Sequence, residues 1–242
     1  MKKKILMIIV ISVIITSFIY MIFKTDKKTY LALGDSIARG ISPFGKELFS
    51  YNDYVVEHMR NKNILEIYYR EFTSKNLRTN DLVDMIQDNY ELKIENKKVT
   101  IQQALAKADI ITLSIGSYDL YNYLRVLNGP TEYNKEELNR YFLSMFTDLN
   151  NLIELINKFT TGRLIIIGFY NPNINSDEEL DSIFRFIDES YRELAIRNNS
   201  EYISLNEFIS KNNEYIPNVD SVLMNHRGHQ AISEKIIELL NF

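Results

Sequence analysis

Ser36 is the residue whose setting best suits covalent chemistry. It follows a short apolar segment, residues 29–33, and the pair Gly34 and Asp35. A serine at a strand-to-helix turn exposes its hydroxyl above the sheet, and its backbone N–H faces the same space, as acyl transfer requires. A Gly-Asp-Ser tripeptide is also common in ordinary turns, so the assignment depends on what the rest of the chain brings to Ser36.

The segments around Ser36 predict an α/β fold. Apolar, strand-like runs alternate with amphipathic stretches of helical period, and residues 110–115 form a continuous, mainly apolar run, as in a strand buried on both faces. Strand and helix alternating in this way predict a parallel sheet with helices on both faces, and ligands of such sheets bind beyond the carboxyl ends of the strands. The predicted strands are 29–33, 64–72, 110–115, 164–169 and 202–205, and the predicted helices are 51–60, 80–89, 135–159, 177–197 and 227–240.

Four segments resemble the sequence blocks of the SGNH (GDSL-type) hydrolases. They are LALGDSIARG at 31–40, LSIGSYDL at 113–120, GFYNP at 168–172, and Asp220 followed by NHRGH at 225–229. They occur in the family's order and together span nearly all of residues 29–242. The resemblance therefore implies that residues 29–242 form one domain. It implies a three-layer α/β/α fold with a parallel, flavodoxin-like sheet of about five strands, and hydrolysis of esters without a cofactor or a metal.

The resemblance also assigns roles to individual residues. Ser36 matches the nucleophile, and Asp220 matches the acid that orients the catalytic histidine. The oxyanion donors are expected to be the backbone N–H groups of Ser36, Asn76 and Gly116, with Asn76 standing where the family has a glycine. Asparagine tolerates a left-handed backbone better than most residues, so its N–H can still serve.

Two positions depart from the family pattern. Tyr118 stands where the family has an oxyanion asparagine, and Leu223 stands where it has the catalytic histidine. Loss of one oxyanion donor costs about 10² to 10³ in rate, whereas loss of the base of a serine hydrolase can cost about 10⁶. His226, three residues after Leu223, is the candidate substitute base; the alternative is a solvent-facing histidine at the start of the last helix.

Composition excludes several other classes of protein. The formal net charge is −4, and without Lys2, Lys3 and Lys4 the remaining 25 basic and 32 acidic residues give −7. A domain this acidic has no electrostatic footprint for nucleic acid. The chain has no cysteine, which excludes disulfides, thiolate metal sites and a cysteine nucleophile, and it has only 3 histidines.

Residues 5–23 predict a single membrane span. They form an uncharged run of 19 positions, which as a helix would be about 28 Å long, close to the hydrocarbon thickness of a bilayer. A cleaved signal peptide would have a shorter apolar region and small residues at the cleavage site. The excess of positive charge before the run places the N-terminus in the cytoplasm and the domain on the extracytoplasmic side of the cell membrane.

Two hypotheses for function follow. In the first, the protein is a membrane-anchored serine ester hydrolase that uses Ser36, Asp220 and His226 on a small ester, a lipid or an acylated glycan. In the second, the same fold is a catalytically inactive binding or scaffold module, as the replacements at Leu223 and Tyr118 suggest.

Overall fold

A sheet of five strands forms the centre of the protein. The computed structural model describes residues 26–126, 133–210 and 212–242. Its strands are β1 (Lys28–Gly34), β2 (Leu65–Tyr69), β3 (Glu91–Ile94), β4 (Lys97–Thr100), β5 (Ile110–Ser114), β6 (Arg163–Ile167) and β7 (Glu201–Ile203). Its helices are α1 (Ser36–Arg39), α2 (Tyr51–Asn61), α3 (Thr79–Gln87), α4 (Ile101–Lys107), α5 (Ser117–Leu124), α6 (Lys135–Asn157), α7 (Glu178–Arg197) and α8 (His226–Leu240).

All neighbouring strands of the central sheet are parallel. The order across it is β2-β1-β5-β6-β7. Apart from the β3-β4 hairpin, the strands therefore follow the 2-1-3-4-5 order of flavodoxin-like sheets, in which the chain reverses direction beside the first strand. The predicted parallel sheet of about five strands is confirmed.

Helices cover both faces of this sheet, which completes the three layers. Side chains alternate along each strand, so Leu31 and Leu33 of β1 pack on one side with α6 and α7, whereas Tyr30 and Ala32 pack on the other with α2 and α8. All residues of β5 are buried, and so are all of β6 except Arg163. Burial of both faces explains why β6 is apolar without alternation after Arg163, and why the only polar residues of β5, Thr112 and Ser114, are small and buried.

Two features differ from the sequence-based prediction. The predicted strand 64–72 is shorter, because the chain leaves the sheet after Tyr69 and turns at Arg70, whose carbonyl accepts from the Thr73 N–H at 3.1 Å. The antiparallel β3-β4 hairpin was not predicted, and it turns at Glu95 and Asn96 with φ of 47° and 66°.

The predicted membrane span at 5–23 lies outside the described residues. Within the described ranges, no helix combines the length and the apolar character that crossing a membrane requires.

Candidate active site

Ser36 lies where β1 passes directly into α1. Gly34, the last residue of β1, has φ of 135°, and a Cβ there would lie 1.8 Å from the Ser114 carbonyl oxygen of β5. Only glycine allows the two strand ends to approach so closely while the chain turns. The turn leaves Ser36 as the first residue of α1, with 7% of its surface exposed, at the carboxyl edge of the sheet.

Asp35 fixes this turn from inside the protein. One of its carboxylate oxygens accepts from the Ile37 N–H at 3.0 Å, and the other accepts from the Ser117 N–H at 3.1 Å and the Ser117 hydroxyl at 2.6 Å. Burial raises the pKa of Asp35 to about 6, because desolvation outweighs the hydrogen bonds from Ser117 and Ile37 that favour the charged form. The residue therefore joins the turn after β1 to the turn after β5.

Asn76 brings a backbone N–H to the Ser36 hydroxyl. After β2 the chain returns towards β1, and the Ser74 N–H donates to the Gly34 carbonyl at 3.0 Å. Asn76 then adopts a left-handed backbone with φ of 61°, and its N–H lies 3.1 Å from Ser36 Oγ. The Ser36 hydroxyl also lies 3.5 Å from the Asn76 side-chain oxygen. This hydrogen bond places the Asn76 N–H next to the proposed nucleophile, on the side from which it could reach an oxyanion that forms on a bound ester.

A cavity of about 400 Å³ opens above Ser36. Its wall brings together Ser36, Asn76 and Asp220 from three distant parts of the sequence. Leu223 belongs to the same wall, and it is half-buried against the apolar cluster between α2, α8 and the sheet. The position at which the family carries its imidazole therefore presents an aliphatic side chain to the cavity.

His226 and Gly116 are not among the residues that line this cavity. His226 is the exposed first residue of α8, and it is not part of the cavity wall. The Asn225 side chain fixes this helix start by accepting from the N–H groups of Arg227 and Gly228 at 2.9 and 3.2 Å.

Gly116 borders a neighbouring cavity, and Ser117 takes its place in the wall above Ser36. Because Asp35 occupies the Ser117 N–H, that group is not available to a substrate.

The other histidine of the last block has a structural setting. His229 has 2% of its surface exposed and stacks on Tyr51 with ring centroids 6.3 Å apart. Burial lowers the pKa of His229 to about 4, which keeps the imidazole neutral. Neither of its ring nitrogens has a hydrogen-bond partner in the described part of the chain.

Two buried tyrosines hold the segment that carries Asp220 and Leu223. The Tyr121 hydroxyl donates to the Tyr170 carbonyl at 3.1 Å, and the Tyr170 hydroxyl donates to the Val222 carbonyl at 2.5 Å. The sequence prediction assigned no role to Tyr170. The signal available was the resemblance of the GFYNP segment, which places Tyr170 just after β6.

The family to which the sequence is matched is consistent with this site geometry. The model of the GDSL-like lipases and acylhydrolases matches residues 30–236. The chain belongs to this family. No curated protein matches it in sequence.

Solved structures of several lipases and esterases share the fold. The lipase Lip_vut3 from a goat rumen metagenome has a TM-score of 0.70 at 20% identity, covering 88% of this chain and 97% of its own. Axe2, an acetylxylan esterase from Geobacillus stearothermophilus, has a TM-score of 0.60 at 17% identity, with coverage of 91% and 97%. The lipase/acylhydrolase from Enterococcus faecalis has a TM-score of 0.57 at 13% identity, with coverage of 88% and 95%.

Proposed function

We propose that the protein is an ester hydrolase in which Ser36 attacks the carbonyl carbon of an acyl or acetyl ester. The observation that carries the proposal is the Asn76 N–H, 3.1 Å from Ser36 Oγ at the wall of an open cavity. Attack by Oγ would form a tetrahedral oxyanion, which backbone N–H groups at this edge would stabilise. Loss of the alcohol would leave an acyl-serine, and water would then release the acid and regenerate Ser36.

The expected turnover is slow. The Ser36 hydroxyl must lose a proton as it attacks, and Leu223 replaces the imidazole that accepts this proton in the family. Asp220 lies in the wall, but His226 lies outside it, so the proposed Ser36, Asp220 and His226 set is not assembled in the described conformation. Loss of the base of a serine hydrolase can cost about 10⁶ in rate, so the expected rate is far below that of a complete site.

Short esters are the proposed substrates. A cavity of about 400 Å³ is at the small end of ligand sites, so it suits a small acyl group with part of its alcohol. Two structural relatives are described as an acetylxylan esterase and a lipase. On this basis the proposed substrate is a small ester, a lipid or an acylated glycan.

Acetate release tests this function. Full-length protein and its Ser36→Ala variant would be compared on p-nitrophenyl acetate and on acetylated xylooligosaccharides, with Ser144→Ala on the exposed side of α6 as the matched control. We expect slow hydrolysis that disappears in Ser36→Ala and persists in Ser144→Ala. Turnover that is equal in all three proteins would show that Ser36 is not the nucleophile.

A second candidate function is that of a binding module without catalysis. It is favoured by the aliphatic side chain of Leu223 in the cavity wall and by Tyr118 in place of the family's asparagine. Labelling by a fluorophosphonate distinguishes the two, because this reagent reacts with serines that are activated as nucleophiles. Ser36 that stays unlabelled, in a protein that still binds esters, would favour the binding module.

The position at the cell membrane is also a proposal. It rests on the uncharged run at 5–23 and on the basic residues before it. Fractionation and protease treatment of intact cells test it. Recovery of the protein in the membrane fraction, with its domain digested by protease added to intact cells, would support the proposal. A domain that stays protected from the added protease would contradict the orientation.

A further inference from the structure

Two cations share the wall of the Ser36 cavity. Lys75 and Arg125 both line it, and both side chains are exposed. Within residues 26–126, 133–210 and 212–242, neither forms an ion pair or a side-chain hydrogen bond. Arg78, just outside this wall, differs because Asp119 lies 3.4 Å from its guanidinium. The cavity therefore presents two positive groups that form no ion pair with a carboxylate of the described residues.

Lys75 lies close to the reacting atoms because it is next to Asn76 in the sequence. It immediately precedes Asn76, whose N–H lies 3.1 Å from Ser36 Oγ. Since consecutive Cα atoms are about 3.8 Å apart, the Lys75 stem starts within one residue of the proposed oxyanion donor. An ammonium group on this stem can reach a negative group a few bonds from an ester carbonyl.

Arg125 reaches the same cavity from the end of α5. It is the C-cap residue of that helix, with φ of 47° and ψ of 41°. This left-handed position usually holds glycine or asparagine, because other side chains are strained there. A cation also interacts favourably with the helix C-terminus, so a stabilising role for Arg125 must be separated from a binding role by experiment.

The net charge of the wall has the opposite sign to that of the chain. Lys75 and Arg125 face one carboxylate in it, that of Asp220. Residues 24–242 as a whole carry 25 basic against 32 acidic side chains. Unpaired positive groups in a concave site of an acidic protein concentrate anionic ligands there.

We propose that the cavity selects esters that carry a carboxylate or a phosphate next to the ester group, with Lys75 and Arg125 binding the anion. This inference rests on the proposed function for its chemistry but concerns recognition. Guanidinium and ammonium groups both bind these anions, the first in a bidentate manner and the second as a point charge. The substrate class thus narrows from short esters to anionic ones.

Matched ester pairs test the proposal. Acetoxyacetate is compared with neutral acetoxyacetamide, and 1-acetylglycerol 3-phosphate with 1-acetylglycerol, so the two arms separate carboxylate from phosphate. Binding to the full-length Ser36→Ala protein is measured by ligand-observed NMR, and acetate release is measured with Ser36 in place. The same measurements are made with Lys75→Met, Arg125→Gln and both together. Arg60→Gln and Lys62→Met, at the end of α2 that leads to the opposite edge of the sheet, are the controls.

We expect about tenfold tighter binding of at least one anionic ester than of its neutral partner. This preference should fall to about threefold in each single variant and to about one in the double variant, and 0.5 M NaCl should weaken it because both cations are exposed. If Arg125 only stabilises the fold, Arg125→Gln would change the binding of the anionic ester and of its neutral partner equally. Equal binding of both pairs, or a preference that survives the double variant, would overturn the inference. A preference in binding without Ser36-dependent acetate release would support it and refute the proposed hydrolase.

Discussion

The carboxylate of Asp35 accepts two hydrogen bonds from Ser117, one from the hydroxyl at 2.6 Å and one from the backbone N–H at 3.1 Å. These bonds connect the turn after β1 with the turn after β5, the two neighbouring strands at the centre of the sheet. Asp35 is completely buried, and that burial raises its pKa to about 6. The protein thus places a carboxylate that is hard to ionise directly beneath its proposed nucleophile.

We predict that Asp35→Asn removes a fall in stability between pH 4 and pH 6. The pKa of Asp35 rises from 3.8 in the unfolded chain to about 6 in the fold, so in this window the folded protein holds a proton that the unfolded chain has lost. Stability therefore falls as the pH rises through the window. Two pKa units correspond to about 3 kcal/mol in the free energy of unfolding.

Urea unfolding at pH 4 and pH 7 measures this difference. We subtract the unfolding free energy at pH 4 from that at pH 7 for each protein. This difference should be about 3 kcal/mol larger in Asp35→Asn than in the wild type. Asp84→Asn, an exposed carboxylate of α3, is the control. The same pH dependence in Asp35→Asn and the wild type would mean that Asp35 ionises normally in the fold.

His229 should act in the opposite direction. Burial lowers its pKa from 6.5 to about 4, so between these values the unfolded chain binds a proton that the folded protein does not. Stability is lost as the pH falls through this window. We predict that His229→Phe is more stable than the wild type at pH 4.5 by about 1 to 3 kcal/mol, because it also removes two unpartnered ring nitrogens. Thermal unfolding of His229→Phe and of the exposed control His226→Gln measures this, and a less stable His229→Phe would indicate that the nitrogens have partners.

The apolar pattern predicts the fold well where strands are buried on both faces. β5 and β6 are mainly apolar runs, and both were placed within two residues of their observed ends. The β3-β4 hairpin was missed because its strands, ELKI and KKVT, are polar and half-exposed. Its turn, Glu95 and Asn96, also lacks the glycine that usually marks a two-residue hairpin.

The sequence predicted the parts of the site that depend on the backbone conformation of one residue. Asn76 in a left-handed conformation, with its N–H towards Ser36, follows from the resemblance and from the tolerance of asparagine. The separation of Gly116 from the Ser36 cavity was not predictable, because it depends on the hydrogen bonds between Asp35 and Ser117 across two turns. The place of His226 depends on the Asn225 cap, which sets where α8 begins.

Tyr170 should hold the segment that carries Asp220. We predict that Tyr170→Phe destabilises the protein by about 1 to 2 kcal/mol, because the Val222 carbonyl loses a buried donor at 2.5 Å. Hydrogen exchange should also become faster at residues 220–224 than in the rest of the domain. Tyr54→Phe, a tyrosine of α2 outside the cavity wall, is the control. Uniformly faster exchange over the whole domain would show a general loss of stability and no local role.

Leu223→His should raise ester hydrolysis. Leu223 lies in the same cavity wall as Ser36 and Asp220, and Asp220 precedes it by three residues. An imidazole there would give the Ser36 hydroxyl a proton acceptor that Asp220 can orient. We expect p-nitrophenyl acetate hydrolysis to increase by about 10- to 100-fold, less than a complete site gives, because Tyr118 still replaces an oxyanion donor. Adding Tyr118→Asn should increase the rate further.

Two matched variants show whether the gain comes from a base. Leu223→Asn places a polar side chain of similar size at the same position without an imidazole, so it should leave the rate unchanged. His226→Ala should also leave the wild-type rate within about twofold, because His226 is exposed and outside the cavity wall. If Leu223→Asn is as active as Leu223→His, the gain does not come from proton transfer. If His226→Ala abolishes the wild-type activity, His226 enters the cavity during turnover and is the base that the described conformation leaves outside.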